Sequence, residues 1–375
     1  MKRKSIIGLL ITLLAAVSIT CTAFASTLDN GLAEKKSGND KAAILLFKKA
    51  IKEGDVEAQF QLGVMHHLGY GTPQNHIEAV RLYLSAAEQG HAEAQSNLGT
   101  LYQSGHGVKQ DYKEALLLYR GAAKQGSSSA MNNIGHAYSN GYGVPADPQE
   151  AARWYQKATD LGNAKAQGNL ASMYRDGSGV SQSSKMAMEL YRKAADNGNV
   201  DSQYHLGLIY KEGKLVAQNH KEAIKWARKA ALSGDADAQN LLGTMFEKGE
   251  GVSQNYKEAI QWYFRAAEQG QAIAQTHLGV CFANGLGVSQ NHMEAMRWYK
   301  KAAEQGDVPA QTNLGILYFM GRGVSKDVVK GYYWMSLAAR DGSQNGERNL
   351  VEMKKRMSLA QISQAEDMIR KGLAQ

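Results

Sequence analysis

Apolar residues along this chain recur at helical spacing, and the pattern resets every 36 residues. From Ala94, the residues Ala94, Leu98, Leu101 and Tyr102 fall at i, i+4, i+7 and i+8, the stripe of an amphipathic helix. A Gly-x-Gly loop, "SGHGV", follows. A second helical pattern begins after Asp111, a residue type that caps helix N-termini. It presents Ala115, Leu118, Tyr119, Ala122 and Ala123 and stops at Gly126, where a left-handed residue can end a helix. Asp147-Pro148 gives the same start signal in another form, a cap followed by proline in the first turn.

The two-helix unit repeats without a break. Leu62-Gly63, Leu98-Gly99, Ile134-Gly135, Leu170-Ala171, Leu206-Gly207, Leu242-Gly243, Leu278-Gly279 and Leu314-Gly315 are each 36 residues apart. The loops keep step, and so do the glycines that end the second helices, from Gly90 to Gly342. A single Gly-x-Gly could cradle a phosphate or turn the chain. Eight such loops in phase, seven of them Gly-x-Gly and one Gly213-Lys214-Leu215, identify a connector of a repeat array, with Gly105 and Gly107 as its signature pair. The pattern predicts an all-α, right-handed solenoid of paired antiparallel helices, here termed A and B, without strands.

Tryptophan marks one column of helix B. Trp154, Trp226, Trp262, Trp298 and Trp334 share it with Leu82, Leu118 and Leu190. At this period the column is expected to pack into small Ala and Gly positions opposite rather than to form a ligand box. Cys281 shares its column with Met65, Leu101, Met173 and Ile209 and is expected to be a core residue.

The unit "A-Q-x-x-L-G-x-x-Y-x-x-G-x-G-V" followed by "A-x-x-W-Y-x-K-A-A-x-x-G", clearest between Ala274 and Gly306, resembles the Sel1-like repeat, a relative of the tetratricopeptide repeat. The resemblance runs from about Asp40 to Gly342. The expected organisation is a signal peptide over 1–25, an N-terminal capping half-repeat over 26–57 and C-terminal capping helices over 343–375. Between them lie eight repeats (58–93, 94–129, 130–165, 166–201, 202–237, 238–273, 274–309 and 310–345, with 342 as the last repeat glycine). The resemblance implies a scaffold that binds a partner protein or peptide. It implies further that an exported member is a virulence-associated factor for host-cell entry and trafficking. The alternative drawn from the family is a periplasmic regulator of cell-wall enzymes, and a hydrolase in its own right ranks third.

Export is read from the first residues. "MKRK" is a basic start, "SIIGLLITLLAAVSI" an apolar core and Ala23-Phe24-Ala25 a small-x-small cleavage site. No second span is apparent, so the expected location is periplasmic or secreted. Losing Lys2, Arg3 and Lys4 lowers the net charge from +8 to +5, mild for a chain of this length. That surplus argues against nucleic acid and leaves room for weak contact with anionic lipid such as phosphoinositides. Cleavage would leave Cys281 alone, so no internal disulfide is expected.

No catalytic constellation stands out, and neither an enzyme nor a cofactor is expected. The ten histidines include no HExxH motif; His66 and His67 are adjacent, and His205 and His277 lie two repeats apart. No S-x-x-K nucleophile spacing occurs. What remains is a face of helix A. Three positions after each repeat's first alanine stand Gln61, Asn97, Asn133, Asn169, His205, Leu241, His277 and Asn313, groups that mostly donate and accept hydrogen bonds. With Phe60, His136, Tyr204 and Asn240 beside them, these are read as pointing away from the stripe to form a concave binding face. The equal alternative is that the asparagines bond neighbouring repeats.

Overall fold

A computed structural model describes residues 26–372. The signal-peptide reading over 1–25 lies outside the described residues. The described chain is helical, without strands, and divides into two compact units between Gln182 and Ser183. The first unit holds α1 (Thr27–Lys36), α2 (Asp40–Lys52), α3 (Val56–Leu68), α4 (His76–Glu88), α5 (Ala92–Ser104), α6 (Tyr112–Lys124), α7 (Ser128–Asn140), α8 (Pro148–Asp160) and α9 (Ala164–Asp176). The second holds α10 (Ser184–Asp196), α11 (Val200–Glu212), α12 (His220–Leu232), α13 (Ala236–Lys248), α14 (Tyr256–Glu268), α15 (Ala272–Asn284), α16 (His292–Glu304), α17 (Val308–Met320), α18 (Val328–Arg340), α19 (Gln344–Lys354) and α20 (Leu359–Gly372). Within each unit consecutive helices pair, from α1 to α9 and from α10 to α19, as an α-solenoid requires.

Caps and glycines fix the helix lengths. Asp111 accepts from the N–H groups of Lys113 and Glu114 at the start of α6, satisfying donors that no helical turn can reach. Gly105 ends α5 at φ 75°, and its N–H returns to the Leu101 carbonyl. Gly107 has φ 71°, and a Cβ there would stand 2.4 Å from the His76 carbonyl carbon. The second glycine therefore permits a backbone approach to the preceding repeat's helix B, which is why it recurs. His106, between the two, stacks on His76 at 5.0 Å.

Each core cluster joins helix B of one repeat to helix A of the next. Ala115, Leu116, Tyr119, Ala122, Ala123, Ala130, Ile134 and Ala137 form one cluster, with Trp154 packed against it. Trp298 occupies the same place on the cluster that includes Ala259, Ala266, Leu278 and Cys281. The sequence reading put tryptophan against both alanine and glycine. The ring that meets the glycine is instead the next residue along, because Gly99 faces Tyr119, whose Cε1 is 2.7 Å from an added Cβ. Gly63 and Tyr83, Gly135 and Tyr155, and Gly243 and Tyr263 repeat that contact. Cys281 is buried, and burial pushes its thiol up to about 12.

A second regular device joins successive repeats. Gln95, Gln203, Gln239, Gln275 and Gln311, near the starts of their helices A, donate back to the end of the preceding helix B, as Gln239 does to the Ala231 carbonyl at 3.1 Å. The glutamine just before the glycine that ends helix B of the same repeat donates to this position: Gln89 to Gln59, Gln125 to Gln95, Gln269 to Gln239 and Gln305 to Gln275, at 2.8–3.0 Å. Where the donor is another residue, the rung changes. Gln203 faces the Ser233 position and Gln311 the Asp341 position, and the side-chain oxygens of both are buried without a partner.

Candidate functional site on the helix A faces

The polar column lies at the edge of the stripe. At about 100° per residue, position three falls about 40° from apolar position seven, so it flanks the core rather than opposing it. Asn97, Asn133, Asn169, His205, His277 and Asn313 are accordingly half-buried, as are Phe60, His136, Tyr204 and Asn240. The reading that the column points away from the core is corrected to this extent.

In the first unit the column is tied to adjacent repeats. Asn97 donates its side-chain N–H to the Tyr83 hydroxyl at 3.3 Å, and burial pushes that phenol up to about 12. Asn169 donates to Asn132 at 2.9 Å, and Asn132 to Asn133 at 3.4 Å. Phe60 stacks on His91 at 4.6 Å, and the His91 Nε2 lies 2.8 Å from Glu57. His136 lies 5.6 Å from the Tyr142 ring, and burial holds its imidazole below the ordinary range.

In the second unit histidine replaces asparagine. His277 packs on the Tyr263 ring at 4.6 Å, with Nδ1 3.0 Å from the Asn240 side-chain oxygen. Burial lowers its pKa against the opposing pull of Glu247 and Asp307. His205 lies between Tyr191 at 5.5 Å and Tyr204 at 5.7 Å. Burial pushes the Tyr204 phenol up, and the nearby carboxylates of Asp237, Asp235 and Glu212 add to it. Asp235 is itself raised, by burial first and then by Asp237 and Asp201. An aromatic ring with an acidic rim results.

Leu241 departs from expectation. It is 6% exposed because Ala227 stands where six other repeats carry tyrosine and one carries Met335, and Leu241 fills that space against Gly207. Nothing in the stripe's phase signals this substitution; only the absent aromatic at Ala227 could. The glutamine rungs were also missed, although "AQ" and "EQG" recur 30 residues apart.

These faces can hydrogen-bond and stack. Among the described residues no three His, Cys, Asp or Glu side chains are placed to hold a metal ion, and the His67, His76 and His106 rings meet by stacking and edge contacts. No described helix is long and apolar enough to cross a membrane.

The Sel1 repeat model matches nine consecutive segments, 25–55, 56–91, 92–127, 128–163, 164–199, 200–235, 236–271, 272–307 and 308–343. The chain belongs to the Sel1 repeat family. The ninth segment beyond the eight read from sequence is 25–55, the α1–α2 pair, whose first helix has 10 residues where later ones have 13. Comparison with curated proteins gives no match. Among solved structures, a Sel1 repeat protein from Oxalobacter formigenes is 33% identical over 82% of this chain and 89% of its own, with TM-score 0.58. A protective antigen of uropathogenic Escherichia coli is 34% identical over 88% of this chain and 79% of its own, with TM-score 0.49. An immunity protein from Pseudomonas aeruginosa is 24% identical over 58% of this chain and 83% of its own, with TM-score 0.41. Sel1 repeat proteins are generally protein–protein interaction scaffolds, and that class holds for this chain.

Proposed function

We propose that this Sel1 repeat protein is an exported scaffold whose helix A faces hold a partner protein or peptide, with a host-interaction role in entry or trafficking. The observation that carries the site is the Tyr204–His205 pair. A half-buried aromatic residue beside Asp235, Asp237 and Glu212 suits an anchor for a partner with apolar and basic groups. Export is supported by the basic, apolar and small-x-small order of residues 1–25. The host-directed part is supported by the resemblance to virulence-associated members.

Capture with purified protein would use host-cell lysate in parallel with periplasmic extract. A partner enriched from host lysate, with binding lost in Tyr204→Ala/His205→Ala, is expected. Enrichment of a cell-wall enzyme from periplasm alone would replace the host role with regulation. Thermal melts of the same variants separate a binding loss from a folding loss. Unchanged binding in a folded Asn133, His136, Tyr204, His205 and His277 alanine variant would remove the site from the helix A faces.

A further inference from the structure

Four of the five tryptophans are capped by a cation one helical turn on. Lys157 stands 4.1 Å from the Trp154 ring centroid, Lys229 4.2 Å from Trp226, Arg265 4.5 Å from Trp262 and Lys301 4.3 Å from Trp298. The fifth, Trp334, has Leu337 at the equivalent place and no such cap. Its half-buried ring instead lines a solvent-open groove of about 470 Å³, within the range of ligand pockets.

The groove gathers cations from three helices. Lys300 comes from α16, Lys330 from α18 and Lys371 from α20, around Tyr318, Tyr333 and Trp334. Their charge is incompletely balanced. Lys300 meets Glu304 at a long 3.7 Å, Lys330 meets Asp327 at 3.3 Å, and Lys371 makes no ion pair among the described residues. Lys330 also leans over the Tyr318 ring at 5.7 Å, and Tyr333 meets Trp334 edge-on at 5.3 Å. Aromatic faces and like-charged ammonium groups share one opening, a combination that complements an apolar side chain flanked by carboxylates.

We propose that this groove binds an acidic peptide segment of a partner, with an aromatic side chain against Trp334 and carboxylates on Lys330 and Lys371. The inference rests on the scaffold reading but uses none of the helix A column, so the two fail separately. Loss of the groove with partner capture intact would sink the groove alone.

The test uses the full chain and an acetylated, amidated Glu-Phe-Glu peptide, titrated by calorimetry. Gln-Phe-Gln and Glu-Ala-Glu peptides are the controls, with 2-naphthoate as a free aromatic carboxylate. Lys330→Gln/Lys371→Gln is expected to weaken Glu-Phe-Glu binding roughly fivefold or more, as are both control peptides. Lys229→Gln, which removes a ring-capping cation elsewhere, is expected to leave the affinity unchanged. Both variants change exposed side chains, and a thermal melt confirms folding; should the double variant not fold, Lys371→Gln alone is read. Equal affinity in the folded lysine variant, or for Gln-Phe-Gln, would overturn the proposal. Tighter binding of 2-naphthoate on the same lysines would overturn it in favour of a small-molecule site.

Discussion

Tyr119 packs against Gly99 so closely that a Cβ on the glycine would stand 2.7 Å from the tyrosine Cε1. The same tyrosine is 1% exposed and donates its hydroxyl to Gln103 at 2.9 Å, so the ring has little freedom to retreat. Gly99→Ala is therefore expected to destabilise the protein by about 1–3 kcal/mol, despite the better helix propensity of alanine. Urea titration followed by circular dichroism checks this, and an unchanged midpoint would refute the close packing.

Leu241 and Ala227 are expected to be coupled. Leu241→Asn leaves the space against Gly207 unfilled by carbon and buries an amide, costing about 2–4 kcal/mol. Adding Ala227→Tyr restores the combination found in other repeats and is expected to recover more than half of that loss. The pair forms a double-mutant cycle in which additive effects would contradict the exchange.

Ser233→Gln is expected to raise stability. Gln203 has a buried side-chain oxygen without a donor, and the glutamine supplied at this position in other repeats gives one. A gain of about 0.5–1.5 kcal/mol follows from satisfying a buried acceptor. The denaturation midpoint should rise, and a decrease would show that Ser233, which now donates to the Lys229 carbonyl at 3.1 Å, matters more as it stands.

Acidification is expected to weaken the fold. Burial holds His66, His67, His136 and His277 below the ordinary 6.5, and His67 also faces His76 and His106. The folded state thus favours neutral imidazole, while the unfolded chain takes up protons as pH falls through 6.5. Their contribution to stability is present above that pH and is lost as pH falls through the lowered values. Thermal melts from pH 7.5 down to about 5.5 should show a falling midpoint, and His67→Gln should flatten the slope. A midpoint that climbs on acidification would refute the assignment.

The repeat architecture was legible because the signals that set it are local and repeated. An N-cap, a stripe and a terminal glycine recur in phase, and Asp111 and Gly105 act as their residue types suggest. Side-chain partners were less legible. Periodicity identifies which columns are inside without saying which ring meets which glycine, so tryptophan was given a contact that Tyr119 makes. Leu241 was taken as exposed because its burial depends on Ala227 fourteen residues earlier. The Asn and His column was found, but its half-burial and its bonds to Tyr83 and Asn240 arise between repeats. The Trp334 groove is announced only by a missing cation at Leu337.

The rung at Gln203 and Ser233 has one further consequence, for how the chain comes apart under load. Repeats touch only their neighbours, so tension applied along a solenoid is carried in series and the weakest joint yields first. The Gln239 and Gln275 side-chain oxygens each accept from the glutamine that ends helix B of their own repeat, whereas those of Gln203 and Gln311 have no donor. Stretched between its ends, the second unit should yield first in the α11–α12 and α17–α18 repeats, which lack the rung, before the bridged α13–α14 and α15–α16 repeats, giving an ordered sequence of extension steps. Two residues, Ser233 and Asp341, would then decide where a pulled molecule begins to unravel.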